Sequence, residues 1–263
     1  MTLPACTEAG QGDVAVLLLH GIGGARSIWS DEASGTTRAL AVAGFRAIAV
    51  DFPGYGDSAG APDMDSMVQA LLEVIGHVAA ERTVLLGHSM GGMVAQELVA
   101  RAPHLVQGLV LACTSASFGR ADGAWQAEFI AQRLAPLDAG LGMRGMAEQL
   151  VPGMVSPAAP AAALGIALEV MARVPEASYR VALRAIAGFD RREALARISV
   201  PTLLLAAEHD RTAAPEVMQR MAARIPHSDY LCLSNAGHIA NVEAPAAFNA
   251  AVLAFLQRHF LND

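Results

Sequence analysis

Six short apolar runs recur along the chain, separated by segments in which apolar residues return every three or four positions. The runs are continuous rather than alternating, which is typical of parallel strands covered on both faces. They occupy residues 14–19, 45–50, 84–86, 106–112, 202–207 and 230–233. Helical spacing occupies residues 67–80, 91–101, 216–225 and 246–259. Strand and helix alternate, so the pattern predicts an α/β fold built on a mostly parallel, doubly wound sheet.

The alternation stops between residues 117 and 197. This segment has no strand-like run and is rich in alanine, methionine and arginine. It is cut by prolines at positions 136, 152, 157, 160 and 175. We therefore expect an all-helical insertion at residues 117–197, carried by a core made of residues 1–116 and 198–263. Its Met and Leu residues are expected to pack against one another.

A Gly-x-Ser-x-Gly pentad follows the apolar run 84–86, with Ser89 at its centre. Gly87 and Gly91 lie two residues to either side, where a β-carbon would collide if a strand turned directly into a helix. Such a turn exposes the serine hydroxyl beyond the sheet. The helix starting at Met90 would point its free amide groups and positive dipole end to the same space. Negative charge that develops there would be stabilised.

Two further loops follow predicted strands. Residues 20–24 contain three glycines, which allow a sharp turn and bring backbone amides close to a ligand. Beside a nucleophile turn, this loop is predicted to supply part of an oxyanion hole. Residues 51–58 are rich in proline and glycine, and they are predicted to form a rigid loop in which Asp51 and Asp57 are structural.

A serine hydroxyl needs a base, and histidine has the pKa suited to that task. His238 follows a predicted strand and a glycine, at the same sheet edge as Ser89, and is the favoured base. His20 also ends a strand, but its glycine-rich successors favour a structural role. The side chain of His88 is expected to point away from the hydroxyl.

Asp210 follows the strand predicted at residues 202–207, and its carboxylate is the favoured partner for the imidazole. Glu208 and Glu243 are weaker rivals. The chain order Ser89, Asp210, His238 matches the order known for Ser-His-Asp enzymes with a nucleophile elbow. The sequence therefore predicts a catalytic triad assembled from three loops.

The amino-acid composition argues against several classes of function. The net charge is -7, which argues against binding to the nucleic-acid backbone. All 18 basic residues are arginine, so mechanisms that need a lysine Schiff base or a phosphate-loop lysine are excluded. Cys6, Cys113 and Cys232 are widely spaced and are expected to be buried free thiols rather than a disulfide or zinc framework. No metal and no cofactor is expected, and without a leader or membrane-spanning run the chain is expected to be cytoplasmic.

Together the motifs resemble the α/β-hydrolase family: His20-Gly21-Ile22-Gly23-Gly24, Asp51 to Ser58, Gly87-His88-Ser89-Met90-Gly91-Gly92, Glu208-His209-Asp210 and Gly237-His238. The resemblance implies that Ser89, His238 and Asp210 act as nucleophile, base and acid. It also implies an oxyanion hole formed by the backbone amides of Ile22 and Met90. The insertion is similar to the helical cap of this family. Since few residues precede Val14, one of the family's leading edge strands is expected to be missing or very short.

Within the family, the chain looks most like the 3-oxoadipate enol-lactonases. This resemblance implies a serine hydrolase of a small carboxylic ester or lactone, acting as a monomer or homodimer. A carbon–carbon bond hydrolase of aromatic degradation, a perhydrolase or haloperoxidase, and a non-enzymatic small-molecule receptor are the alternatives. Trp29 and Trp125 are expected to line the substrate pocket, and Arg133 and Arg144 to clamp a substrate carboxylate.

Overall fold

A computed structural model describes residues 3–119 and 123–261. Seven strands form one sheet in the order β1-β3-β2-β4-β5-β6-β7. Their bounds are β1 (Cys6–Ala9), β2 (Val14–Leu19), β3 (Arg46–Val50), β4 (Arg82–His88), β5 (Gly108–Ala112), β6 (Thr202–Ala207) and β7 (Ser228–Leu233). β1 runs antiparallel to β3, and the other neighbouring pairs are parallel. The predicted fold class is confirmed.

Helices connect the strands and cover the sheet. They are α1 (Thr36–Val42), α2 (Met64–Val78), α3 (Met90–Arg101), α4 (Ala124–Asp138), α5 (Gly142–Leu150), α6 (Ala161–Ala172), α7 (Glu176–Ala187), α8 (Pro215–Ala222), α9 (Ala240–Glu243) and α10 (Pro245–Phe260). α2 packs against α3, and α1 against α10. Every residue of β2, β5 and β6 is buried, as expected for strands with helices on both faces.

Two elements lie outside the predicted pattern. β1 has only four residues with the sequence CTEA and is largely exposed, so no apolar run marks it. It is a short strand ahead of β2, in line with the expected shortening at this edge. α1 has seven residues, too few for helical spacing to stand out. The predicted strands otherwise agree with the structure to within two residues at their ends.

The insertion between β5 and β6 contains α4 to α7. Its two ends are joined by a bridge between Ser117 and Asp190, and the amide of Arg191 donates to the carbonyl of Ala116 at 2.7 Å. Pro136 lies inside α4 and does not cut it, contrary to the expectation. Because α4 ends at Asp138, the missing amide of Pro136 removes a hydrogen bond only in its last turn. Pro160 and Pro175 immediately precede α6 and α7.

All three cysteines are free, but only Cys113 is buried. Cys6 is exposed and Cys232 is partly exposed, because they lie on β1 and β7, the two edge strands of the sheet. The expectation of three buried thiols is therefore wrong for these two residues. Across the described part of the chain, no helix is both long and apolar enough to cross a membrane.

Candidate active site

Ser89, Asp210 and His238 follow the carboxyl ends of β4, β6 and β7. Since these three strands are parallel members of one sheet, their ends open onto the same edge. Residues far apart along the chain thus meet there. The loop after β2, which carries Ile22, opens onto this edge as well.

The turn at Ser89 depends on a backbone conformation that residues other than glycine rarely adopt. Ser89 has a φ of +53°, between the last residue of β4 and the first of α3. Its amide donates to Ala112 of β5 at 2.9 Å, and its carbonyl accepts the Thr114 hydroxyl at 2.7 Å. A β-carbon at Gly87 would lie 2.4 Å from the carbonyl oxygen of Gly91. The close strand-to-helix turn therefore requires glycine, as the pentad predicts.

A continuous line of hydrogen bonds joins the three side chains. Nε2 of His238 lies 2.9 Å from Oγ of Ser89, and Nδ1 lies 2.8 Å from Oδ2 of Asp210. An ionised carboxylate only accepts, so Nδ1 carries the proton and Nε2 of the neutral ring is free to accept the serine proton. The structure brings the predicted nucleophile, base and acid together.

Asp210 is buried, and its second oxygen accepts the amides of Thr212 at 2.7 Å and Ala213 at 2.9 Å. Burial raises the pKa of the Asp210 carboxyl, but the charge of His238 and the hydrogen bonds to the carboxylate outweigh it, and the pKa lies below its usual value. Asp210 is thus held ionised beside the imidazole. Glu208 instead accepts the Asn235 amide at an exposed position.

Both predicted oxyanion donors belong to segments that adjoin the pocket at Ser89. Met90 is the first residue of α3, so its amide has no acceptor within the helix. Ile22 lines the pocket that contains Ser89, and its carbonyl accepts the hydroxyl of Tyr55 at 3.0 Å. That bond orients the peptide between Ile22 and Gly23, which directly follows the predicted donor amide.

Two other histidines are buried at this edge. Nδ1 of His20 lies 2.8 Å from the Gly21 carbonyl, and Nε2 accepts the Phe52 amide at 3.2 Å. Nε2 of His88 donates to the carbonyl of His238 at 2.7 Å. Burial lowers the pKa of each ring to about 4. The sequence predicts that His88 points away from the hydroxyl, and the structure places His88 among the residues that line the pocket at Ser89.

The pocket at Ser89 is small and almost entirely apolar. Its volume is about 50 Å³, and its side-chain walls come from both the core and the insertion. The lining residues are Gly21, Ile22, Gly23, Gly24, Ile28, His88, Ser89, Val151, Met154, Ala167, Met171, His238 and Ile239. A larger cavity of about 780 Å³ shares Gly24 with it and is more polar. Of these two cavities, only the smaller one is lined by Ser89 and His238.

The structure places neither predicted tryptophan in this pocket. Trp29 is fully buried in the core and packs against Phe248 at 6.2 Å between ring centroids. Trp125 lies on α4, where it stacks on Phe129 at 5.1 Å and contacts Phe118. Each tryptophan packs against other aromatic rings and does not line the pocket at Ser89. The expectation that Trp29 and Trp125 line the substrate pocket is therefore wrong.

The predicted arginine clamp is also wrong. Arg144 is exposed and forms a two-pronged ion pair with Glu169, with distances of 2.9 and 3.1 Å. Arg133 lies with its guanidinium 5.1 Å from the ring centroid of Phe129. Neither is among the residues that line the pocket. Arg144 is thus paired with a carboxylate of the insertion itself, and Arg133 interacts with Phe129 and with the hydroxyl of Tyr179.

The apolar wall formed by Val151, Met154, Ala167 and Met171 was not predicted. The only sequence signal is that α6, which carries the last two, has apolar residues on most of its faces. Among the residues that the structure describes, no cluster of three or more His, Cys, Asp or Glu side chains is arranged to hold a metal ion.

The chain is similar along most of its length to proteins named as a hydrolase, an esterase and a lactonase. The chain is 34% identical over 254 residues to "Putative carbamate hydrolase RutD" of Variovorax paradoxus, covering 93% of this chain and 92% of that protein. It is 31% identical to the pimeloyl-[acyl-carrier protein] methyl ester esterase of Klebsiella pneumoniae, covering 95% and 96% of the two chains. It is 30% identical to 3-oxoadipate enol-lactonase 2 of Acinetobacter baylyi, covering 80% and 78%.

A model of the alpha/beta hydrolase family matches almost the whole chain. It matches residues 16–251, from the first predicted parallel strand into the last helix. The match includes the serine turn, the insertion and the loops of Asp210 and His238. This chain therefore belongs to the alpha/beta hydrolase family.

Proposed function

We propose that the protein hydrolyses small carboxylic esters or lactones, with Ser89 as nucleophile, His238 as general base and Asp210 as its orienting acid. The observation that carries the proposal is the unbroken line from Oγ of Ser89 through His238 to Asp210, with distances of 2.9 and 2.8 Å. The line ends at an apolar pocket on the carboxyl edge of the sheet. A serine activated in this way attacks carbonyl carbons.

In the first half of the reaction, His238 takes the proton of Ser89 as Oγ attacks the substrate carbonyl. The negative charge moves to the carbonyl oxygen, where the amides of Ile22 and Met90 stabilise it. One such donor contributes about 3 kcal/mol to transition-state stabilisation. His238 then gives its proton to the departing alkoxide, and an acyl group remains bonded to Ser89.

In the second half, water replaces the alcohol. His238 removes a proton from water, and the hydroxide attacks the acyl carbon. The oxyanion forms again beside the same two amides. As the bond to Oγ breaks, His238 returns the proton to Ser89 and the carboxylic acid leaves. The sequence of steps consumes one water and uses no cofactor.

The pocket favours a small, uncharged acyl group. Its volume of about 50 Å³ is far below that of pockets for drug-sized ligands, and no carboxylate or guanidinium lines it. The relatives are named for a carbamate, a methyl ester and an enol-lactone, which all join a carbonyl to a heteroatom leaving group. We therefore place short-chain esters and small lactones ahead of charged substrates.

We further propose that residues 117–197 act as a cap over a core of residues 1–116 and 198–263. Four cap residues support this division because they form one wall of the pocket: Val151, Met154, Ala167 and Met171. The cap would thus choose the acyl group while the core performs the chemistry.

The test is hydrolysis of p-nitrophenyl acetate by wild type and Ser89→Ala. Loss of the nucleophile is expected to lower kcat by about 10⁶-fold, as in other serine hydrolases. A fluorophosphonate should add one phosphonyl group to wild type and none to the variant, measured by intact mass. Equal turnover by both proteins would overturn the proposal, and saturable ester binding without turnover would indicate a receptor instead.

A further inference from the structure

Glu243 is a buried carboxylate close in sequence to the proposed base, His238. It is not among the residues that line the pocket at Ser89. It is the last residue of α9 and is 6% exposed. Its Oε2 accepts the amides of Ser156 at 2.7 Å and Gly237 at 2.9 Å, and its Oε1 accepts the amide of Ile239 at 3.0 Å. Gly237 and Ile239 flank His238, so the carboxylate holds the backbone on both sides of the base.

The backbone of His238 itself is held by two more groups. Its amide donates to the carbonyl of Met154 at 2.7 Å, and its carbonyl accepts Nε2 of His88. Gly237 lies so close to the cap that a β-carbon there would be 2.6 Å from the carbonyl oxygen of Met154. The histidine loop and the cap segment around residues 154–156 therefore share one hydrogen-bond network.

We infer that Glu243 is a positioning residue: it fixes the imidazole of His238 between Ser89 and Asp210 and ties the cap to the base. This inference builds on the function proposed above. Burying a carboxylate is costly unless it is hydrogen-bonded, and three amide donors supply that compensation. The arrangement makes the position of the base depend on the position of the cap.

A glutamine cannot replace this arrangement. A carboxylate presents two accepting oxygens, whereas an amide presents one oxygen and one NH₂ group. In either orientation of glutamine, the NH₂ group would face at least one of the three backbone amides. The replacement keeps the side-chain shape but breaks the network, which makes Glu243→Gln the informative variant.

Glu97 provides a matched control. It is also a buried glutamate, 2% exposed, and it also ties the core to the insertion, through Arg191 at 2.6 Å. It lies on α3 and pairs with Arg101 as well, with no contact to the histidine loop. Glu97→Gln should therefore show the cost of losing a buried charge without disturbing the base.

The experiment measures three quantities in wild type, Glu243→Gln and Glu97→Gln. They are kcat and KM for p-nitrophenyl acetate, the unfolding temperature, and the downfield proton resonance of Nδ1–H of His238, assigned by its loss in His238→Ala. For Glu243→Gln we expect kcat to fall about 10²-fold, the loss that a small misplacement of a catalytic group causes, and the resonance to broaden or shift. For Glu97→Gln we expect a lower unfolding temperature with kcat and the resonance unchanged.

An unchanged resonance and a kcat within threefold of wild type in folded Glu243→Gln would overturn the inference. If that variant does not fold, amide hydrogen exchange in the wild type decides. Strong protection of Gly237 and Ile239 supports the network, and exchange as fast as in an exposed loop overturns it. The resonance and the exchange need no substrate, so they separate this inference from the proposed function, which is tested by turnover in wild type and Ser89→Ala.

Discussion

Two regions meet at the pocket but are built differently: the sheet edge that carries Ser89, Asp210 and His238, and the pocket wall formed by residues of the insertion. At the sheet edge, these three residues are fixed by hydrogen bonds to main-chain groups of neighbouring loops and strands. At the pocket wall, residues such as Ala167 and Met171 offer only apolar surface from a helix. The first region demands particular residues at particular positions, whereas the second demands only suitable volume and apolarity.

The two regions should tolerate substitutions to different degrees. Replacing a group whose neighbours are backbone atoms leaves those atoms unpaired or in collision, since the backbone cannot repack around the new residue. Replacing a methionine among side chains changes the shape of a cavity, which the surroundings accommodate in part. Changes at the edge should therefore affect turnover and folding, and changes in the wall should affect substrate choice.

Apart from the loss of Ser89 or His238, Asp210→Asn should reduce turnover more than the other changes at the sheet edge. An asparagine leaves no negative charge beside Nδ1 and disfavours the tautomer needed for base catalysis, so kcat should fall about 10⁴-fold. Glu208→Gln is the matched control, because Glu208 lies two residues away and accepts only an exposed amide at 2.9 Å. Steady-state hydrolysis of p-nitrophenyl acetate measures both. A greater loss in the control would assign the acid to Glu208.

The next effect compares two glycines. A β-carbon at Gly91 would lie 2.3 Å from the carbonyl oxygen of Leu19, whereas one at Gly165 on α6 would meet nothing within 4 Å. Gly91→Ala should lower the free energy of unfolding by about 3 kcal/mol or more, through forced backbone shifts. Gly165→Ala should raise it by about 0.5–1 kcal/mol. Urea titrations measure both free energies of unfolding, and similar values would remove the distinction between the sheet edge and the helix that forms the pocket wall.

Acid sensitivity should also arise at the edge. His20 and His88 are buried there with pKa values lowered by burial to about 4, from an ordinary 6.5. Between these values the unfolded chain binds protons that the native state does not, so stability falls as the pH decreases through this window. The unfolding temperature measured from pH 7 to pH 4 should fall less steeply in His20→Gln.

Exposed His77 provides the comparison for that measurement. His77→Gln should leave the slope of unfolding temperature against pH unchanged. A wild-type unfolding temperature that stays constant between pH 6.5 and pH 4 would contradict the prediction, since both buried rings titrate across this range.

The smallest change in activity is expected at the pocket wall. Met171→Ala enlarges the pocket, so the ratio of kcat/KM for p-nitrophenyl hexanoate to that for the acetate should rise about tenfold. Met146→Ala is the control, because Met146 is buried in α5 but does not line the pocket. Both variants should lose about 2–5 kcal/mol of stability. Equal selectivity in the two would show that this wall does not choose the acyl group.

The sheet and the three edge residues could be predicted because their signals are local. A continuous apolar run identifies a buried strand, and the glycines around Ser89 identify the turn. The positions of Asp210 and His238 after strands then follow from the rule that parallel strands end at one edge. Each inference needs only a few neighbouring residues and the alternation of elements.

The pocket wall could not be predicted because its signal is not local. Trp125 packs against the rings of Phe118 and Phe129. Arg144 forms an ion pair with Glu169, which lies twenty-five residues further along the chain. Helix packing within the insertion decides these contacts, and a helix apolar on most of its faces does not reveal which side meets the substrate. The role of Glu243 was also missed, because it depends on three backbone amides rather than on a side-chain motif.

The bond from the Ser89 amide to Ala112 has a consequence for how the protein can vary. The adjacent strands β4 and β5 are each followed at once by a residue with positive φ, Ser89 at +53° and Cys113 at +46°. The pairing of His88 with Ala112 sets which residue stands at the tip of the turn. A slip of that pairing by one position would present a different side chain there. The register between β4 and β5 therefore determines where Oγ of Ser89 lies.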